Sequence, residues 1–236
     1  MSSRLAAPCL VGLSLVALTT ACAPKPEQPD AFDIRAARQA ALTFDQRMNR
    51  EIIARLDRDE DPVAVYLAYA DNVPGWGKEL SDAAQLDFSR TALGVRTPAD
   101  APDAWERQLM EQMSFMLDAG VDPETMEIAE IVSEGDAKVF RWMRPILMSD
   151  SCLACHGEAI SPRVKLLLGQ DYPLDEATGY AAGQMGGAYS VRKVLSVGGN
   201  PPPPYKPQPV APRLPPDERQ PGDAPLVQPM PVPAGN

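Results

Sequence analysis

The prolines of this chain are concentrated at one end, and that distribution limits where a folded domain can lie. Of the 26 prolines in 236 residues, 14 fall between Pro201 and Pro233. Proline has no backbone N–H and a fixed φ, and the segment holds few large apolar side chains to offset chain entropy. Residues 198–236 are therefore predicted to be an extended, disordered tail. The first 21 residues are an apolar leader. Without this leader and the tail, about 175 residues remain, which suffices for one domain with a hydrophobic core.

The first 21 residues have the layout of a signal peptide. A basic start precedes the apolar run Leu5–Leu18, which is too short to span a bilayer comfortably. The run ends at Leu18–Cys22, which resembles a bacterial lipobox in which Cys22 is lipidated, whereas Ala21–Ala23 is alternatively a plain A-x-A cleavage site. We expect export to the periplasm, with anchoring to the outer membrane through Cys22 and a short tether over residues 22–33.

The charge and the scarce metal-binding residues exclude two classes of function. Lys plus Arg number 22 against 32 Asp plus Glu, which gives a formal charge of −10. Nucleic acid is excluded as a partner because phosphate backbones are bound by clustered Lys and Arg. His156 is the only histidine, so a site with several histidine ligands is excluded as well.

The segment Cys152-Leu153-Ala154-Cys155-His156 has the C-x-x-C-H pattern by which c-type haem is attached. Two thiols at this spacing can form thioethers with the two vinyl groups of one haem, and the next residue supplies an imidazole to the iron. The pattern therefore predicts one covalent haem c, bound through Cys152 and Cys155, with His156 as proximal ligand. Covalent attachment also retains the cofactor outside the cytoplasm, in agreement with the leader.

Three other uses of this motif fit the sequence less well. A structural zinc site needs four ligands, and the segment offers three. A thioredoxin-like redox pair would begin a helix within a βαβ unit, and no such unit is evident. A plain disulfide would leave the position of the only histidine to coincidence.

Hydrophobic periodicity predicts an α+β domain over residues 34–197, with helices first and antiparallel strands later. The predicted helices are a long one from Ile34 to about Arg58, a shorter one over Val63–Asp71 that ends near Pro74, and one from Pro102 to about Ala119. The predicted strands are Leu86–Val95, Met126–Val132, Ala137–Leu147 and Ala188–Val194, of which the middle two form a hairpin at Gly135.

A methionine stripe on the third helix, Met110, Met113 and Met116, could be mistaken for a cofactor box. Its helical spacing beside Leu109 and Leu117 is typical of core packing instead.

Three blocks of sequence, in order, resemble the bacterial c-type haem-binding domains with a PAS-like fold, which also form the sensory part of some histidine kinases. The first block is Arg90-Thr91-Ala92-Leu93-x-x-Arg96 with Pro98 and Asp100-Ala101-Pro102-Asp103-Ala104-Trp105-Glu106. The second is Phe140-Arg141-Trp142-Met143-Arg144-Pro145-Ile146-Leu147 with Cys152–Gly157. The third is Tyr172-Pro173-x-Asp175-x-Ala177-Thr178-Gly179-Tyr180 with Gly183-x-x-x-Gly187-Ala188-x-Ser190-Val191. The resemblance extends from Ile34 to Val194. It implies a PAS-like antiparallel sheet flanked by long N-terminal helices, with haem c held against it and His156 as an axial ligand.

The resemblance leaves the second axial ligand open. A family member of known structure uses a cysteine of the second helix, where this chain has Ala68 or Tyr69. Tyr69 is the candidate distal ligand, and the alternatives are Tyr66, a methionine (Met110, Met113 or Met143) or a vacant position. Arg90, Arg96 and Arg144 are candidates to pair with the haem propionates, because a guanidinium binds a carboxylate bidentately.

Two functions are consistent with these features. The first is an exported, lipid-anchored monohaem protein that senses redox state or a small ligand and acts through a separate signalling partner. The alternative is a periplasmic electron carrier that serves redox partner proteins. An enzyme is not expected, because a haem peroxidase would lack a distal histidine for acid–base chemistry.

Overall fold

The computed structural model describes residues 27–206, so the predicted signal peptide, the lipidation of Cys22 and the tail beyond residue 206 lie outside the described residues. The long N-terminal helix consists of α1 (Ala31–Met48), a π-helical turn (Asn49–Ile53) and α2 (Ala54–Leu56). The other helices are α3 (Pro62–Ala84), α4 (Ala104–Asp118), α5 (Leu153–His156) and α6 (Pro162–Asp171). None of the helices in this part of the chain is long and apolar enough to cross a membrane.

Within residues 27–206, four strands form one antiparallel sheet, which confirms the α+β prediction. They are β1 (Asp87–Thr91), β2 (Ile128–Glu134), β3 (Ala137–Leu147) and β4 (Met185–Val197), in the order β1-β4-β3-β2. β2 and β3 form the predicted hairpin, with Gly135 at a φ of 62° that favours glycine. Between β3 and β4 the chain leaves the sheet at Leu147 and returns at Met185. This excursion carries the C-x-x-C-H motif.

Each face of the sheet is covered by different helices, because successive side chains of a strand point to opposite faces. On one face, Phe140, Trp142 and Tyr189 pack with Phe44 of α1 and Trp76 of α3. On the other, Met143 and Ala188 pack with the methionines of α4. Met110 and Met113 are fully buried there, which confirms that the stripe is core packing.

Two substitutions in α4 test this packing through the stability of the protein. Replacing Met113 by Ala leaves a cavity under the sheet and is expected to lower the free energy of unfolding by about 2–5 kcal/mol. Phe115→Ala is the matched control, since Phe115 is 74% exposed and its loss should cost no more than about 0.5 kcal/mol. Equal costs for the two variants in urea titrations would contradict this packing.

Two helix predictions need correction. The second helix does not end near Pro74 but continues to Ala84, since Trp76 on the far side of the proline is almost fully buried in the core. That burial outweighs the roughly 3 kcal/mol that an internal proline costs. The helix α6 was not predicted, although Ser161 caps it and Pro162 occupies its first turn.

The first residues of the predicted tail lie within the described part. After β4, Gly198 and Gly199 both adopt positive φ, and Asn200 pairs back to Val197. The four residues Pro201–Pro204 are exposed and without regular secondary structure.

Candidate functional site

The C-x-x-C-H motif forms a compact turn of helix. A 3-10 turn, Asp150–Cys152, leads directly into α5, which ends at His156 and is followed by Gly157 as its C-cap. Cys152 and Cys155 are both free thiols and both half-buried. Residues three apart lie on one side of a helical turn, so both thiols can reach one ligand edge. A Cβ at Gly157 would lie 2.8 Å from the carbonyl oxygen of Leu153, so the turn closes tightly only with glycine there.

The imidazole of His156 is fixed in one orientation by the backbone of a neighbouring loop. Its Nδ1 lies 2.8 Å from the carbonyl oxygen of Ala177. A carbonyl only accepts, so Nδ1 carries the proton and Nε2 keeps a free lone pair. Burial, together with the cationic Arg96, lowers the pKa of His156 to about 4. The imidazole is therefore neutral at neutral pH, the form that binds a metal.

Backbone hydrogen bonds join this loop to the motif. The N–H of Tyr180 donates to the carbonyl of His156 at 3.0 Å, and the N–H of Gly179 donates to the carbonyl of Gly157 at 3.2 Å. The ring of Tyr180 also meets the imidazole edge to face, with 6.4 Å between centroids. The loop therefore fixes both the backbone and the side chain of His156.

The motif packs on α3 and α6 through a small buried cluster. Tyr66 and Ala70 of α3 meet Val164 and Leu168 of α6, and the half-buried Cys155 packs against them. Burial raises the pKa of the Cys155 thiol, with Arg96 acting in the opposite direction. The second cysteine of the motif is therefore next to the stretch of α3 that contains both candidate tyrosines.

The two candidate tyrosines of α3 differ in their partners. Tyr66 is almost fully buried, and its hydroxyl donates to Asp171 at 2.5 Å. Tyr69 is half-buried, and its oxygen accepts a hydrogen bond of 2.8 Å from Arg90. A hydrogen bond donated by a guanidinium stabilises a phenolate, whereas a neighbouring carboxylate opposes it. The Tyr69 oxygen thus faces a cationic donor, whereas the Tyr66 hydroxyl faces a carboxylate.

The candidate methionines are separated from Tyr69 by the sheet. Met110, Met113 and Met143 pack together on the face covered by α4. Tyr69 packs instead against the cluster on the face covered by α1 and α3. The structure thus does not place these methionines next to α3, a helix against which the motif packs.

The three predicted arginines have different surroundings. Arg90 and Arg144 are both cross-strand partners of Tyr189, so the three side chains form a row on the face covered by α1 and α3. Arg144 also forms an ion pair with Glu124, with 2.8 Å between Nη2 and Oε2, and the side chain of Glu124 is largely exposed. Arg96 does not belong to this row and is bound within the protein, to Asp175 and to two backbone carbonyls. These partners argue against the predicted pairing of Arg96 with a propionate.

The residues present fit a haem c group. Two free thiols lie on one helical turn, and the next side chain is a neutral imidazole whose Nδ1 is already hydrogen-bonded, as in metal-binding histidines generally. An open cleft of about 510 Å³, lined in part by Leu153, Gly157 and Tyr180, gives access to the motif from solvent. Within residues 27–206, no three His, Cys, Asp or Glu side chains come together as a site for a metal ion.

Two groups of the site were not singled out from the sequence. The acceptor for His156 is the backbone carbonyl of Ala177, which leaves no signature in the residue type. Asp175 pairs with Arg96, and the only signal for it was its place in the third of the family-like blocks.

Comparison with known proteins agrees with this architecture. A search of curated proteins finds no match. Among solved structures, the crystal structure of the cyanobacterial heme-protein Tll0287 matches with a TM-score of 0.54 and 22% sequence identity, over 72% of this chain and 99% of the other. The model of the Tll0287-like family matches residues 34–193, which span all three blocks and the C-x-x-C-H motif. The family prediction made from the sequence is thereby confirmed, and the chain belongs to the Tll0287-like family.

Proposed function

We propose that this protein binds one haem c, with thioether bonds to Cys152 and Cys155 and with Nε2 of His156 on the iron. The observation that carries the proposal is the Nδ1–Ala177 hydrogen bond beside two free thiols on the same turn. The neutral imidazole presents its remaining lone pair without any rearrangement of the tautomer. The likeness to a heme-protein of known structure supports the same cofactor.

Tyr69 is the proposed second axial ligand. Its oxygen already accepts a hydrogen bond from Arg90, and the guanidinium also lies over the rings of Phe44 and Tyr69. Bound to iron as the phenolate, this oxygen would stabilise ferric over ferrous iron. Arg90 and Arg144 are the proposed partners of the propionates, because both face the same side of the sheet as Tyr69's cluster.

The proposed role is sensing of redox state or of a small ligand. When bound, haem supplies a one-electron Fe(III)/Fe(II) couple and a coordination position for small molecules. Methionine would suit electron transfer, but the candidate methionines lie across the sheet from Tyr69. A phenolate is a weaker ligand to ferrous iron, so reduction would open the position it holds. The protein would pass this change to a separate signalling partner.

Electron transfer is the second candidate function. Ala154 of the motif and the preceding Ser151 line an open cleft of about 400 Å³, so the attachment turn is accessible to a partner protein. A peroxidase is disfavoured, since His156 donates to a neutral carbonyl and not to a carboxylate that would increase its basicity. For either role we propose export to the periplasm, with attachment to the outer membrane through Cys22.

A spectroscopic experiment separates the two roles. The protein, purified after coexpression with a haem c maturation system, is examined in the ferric and ferrous states by visible and EPR spectroscopy, then titrated with CO. The sensor proposal predicts a tyrosinate-type ferric spectrum and rapid CO binding after reduction. A six-coordinate ferrous state that resists CO would instead support the carrier, and a spectrum without haem would refute both.

A further inference from the structure

Arg96 occupies the centre of a hydrogen-bonding arrangement on the proximal side of the motif. Its Nη2 donates to the carbonyls of Cys155 and Ala177, at 2.7 and 3.2 Å, and its Nε donates to Asp175 at 3.1 Å. The guanidinium also lies over the ring of Tyr172, at 5.9 Å from its centroid. The side chains of Arg96 and Asp175 are each only 10% exposed.

These contacts connect the C-x-x-C-H motif with the loop that contains Ala177 through one shared atom, the carbonyl oxygen of Ala177. The carbonyl of Ala177 accepts from Arg96 and also from Nδ1 of His156. The second carbonyl bound by Arg96 belongs to Cys155, the residue immediately before the histidine. Arg96 therefore holds the motif and the acceptor of its imidazole at a fixed separation.

Asp175 completes the arrangement from the other side. One carboxylate oxygen accepts from Arg96, and the other accepts from the N–H of Ala177 at 2.8 Å. The loop that carries Arg96 is held against the same segment, since the N–H of Glu176 donates to the carbonyl of Val95 at 2.9 Å. The peptide of Ala177 is thus bound at its N–H by Asp175 and at its carbonyl by Arg96 and His156.

Arginine suits this position for a geometric reason. The planar guanidinium offers donors in fixed directions, so it can bind two carbonyls and a carboxylate at once. A lysine carries its charge on one atom at the end of a flexible chain and cannot reproduce the fork. Burial makes the pairing important, because either charge without its partner would be left in a poorly solvated site.

We propose that Arg96 is a positioning residue that fixes the orientation of the His156 imidazole, and that Asp175 balances its charge so that the pair sets the reduction potential at the iron. The inference rests on the proposed function, since it concerns the ligand face of the haem. Removing the cation should favour the ferric state, and removing the anion should favour the ferrous state. The two changes are therefore expected to shift the potential in opposite directions.

The test is spectroelectrochemical titration of the holoprotein carrying Arg96→Gln, Asp175→Asn or both. At a fixed ambient potential, the ferrous-to-ferric ratio should fall at least tenfold in R96Q and rise at least tenfold in D175N, each equivalent to about 59 mV for one electron. The double variant, in which no charge is left unpaired, should return towards wild type in potential. The EPR spectrum of the double variant should nevertheless be broader than that of the wild type, because the imidazole of His156 is no longer held in one orientation.

Arg163→Gln is the matched control, since Arg163 is largely exposed and its ion pair with Asp61 is long, at 3.5 Å. Its ratio should stay within about twofold of wild type, as expected for a screened surface charge. Shifts of R96Q and D175N in the same direction, or no shift in either, would overturn the proposal. If one single variant yields no holoprotein, the direction in which the reduction potential of the other single variant shifts decides whether the proposal holds. Absence of haem from the wild-type protein would refute the proposed function instead.

Discussion

Replacing His156 by Ala is expected to leave haem covalently attached and to remove its only nitrogen ligand from the protein. The two thioethers depend on Cys152 and Cys155, whereas the imidazole contributes the bond to iron. No other histidine exists in the chain to replace it. We therefore expect the ferric EPR signature and the iron–nitrogen stretch of the ferrous state to be lost in H156A.

Added imidazole provides a direct check on that result. Free imidazole can enter the space left by the missing side chain, so it should restore the wild-type spectrum of H156A. Tyr180→Phe is a suitable control, because that ring touches His156 only at its edge and should leave the ligand set unchanged. A wild-type spectrum in H156A without imidazole would show that the iron is bound by another residue.

The second large effect is expected at Tyr69. Tyr69→Phe keeps the ring but removes the oxygen that accepts from Arg90. If the phenolate binds ferric iron, its loss should abolish the tyrosinate-type charge-transfer absorption and raise the reduction potential, because a ligand that stabilises ferric iron is gone. Visible spectra and redox titration of the variant measure both changes.

Tyr66→Phe is the matched control for this experiment. Tyr66 lies one turn earlier on the same helix, and its hydroxyl is bound to Asp171. Its replacement should cost about 1.5–3 kcal/mol in stability, as expected for a lost hydrogen bond to a charged group, without changing the spectrum. If Y66F changed the spectrum and Y69F did not, the assignment of the two tyrosines would be reversed. If neither changed it, the iron would have no tyrosine ligand.

The sequence predicted the parts of the fold that depend on periodicity. The hairpin of β2 and β3 and the long N-terminal helix follow from alternating and helical patterns, and the structure has both. The end of α3 could not be predicted, since local rules stop a helix near Pro74 whereas the core retains Trp76 beyond it. Tertiary burial outweighed local propensity there.

Some residues of the candidate site could likewise be predicted from the sequence, whereas others could not. The cysteines and the histidine are recognisable because the chemistry demands fixed residue types at a fixed spacing. The prediction that Arg96 pairs with a propionate rests on the bidentate fit of a guanidinium to a carboxylate, and only the fold reveals its bonds to Asp175 and to two carbonyls. Ala177 acts through its backbone carbonyl, so its place in the third family-like block did not reveal that it accepts from His156.

The proposed function depends above all on covalent attachment of one haem through both cysteines of the motif. Intact-mass spectrometry of the denatured protein, purified after expression with a haem c maturation system, tests it most directly. We predict that the polypeptide carries the mass of one haem, that the peptide containing Cys152 and Cys155 carries that increment, and that C152S/C155S lacks it. A polypeptide with no added mass, or with only the two-hydrogen loss of a disulfide between the two cysteines, would contradict the account.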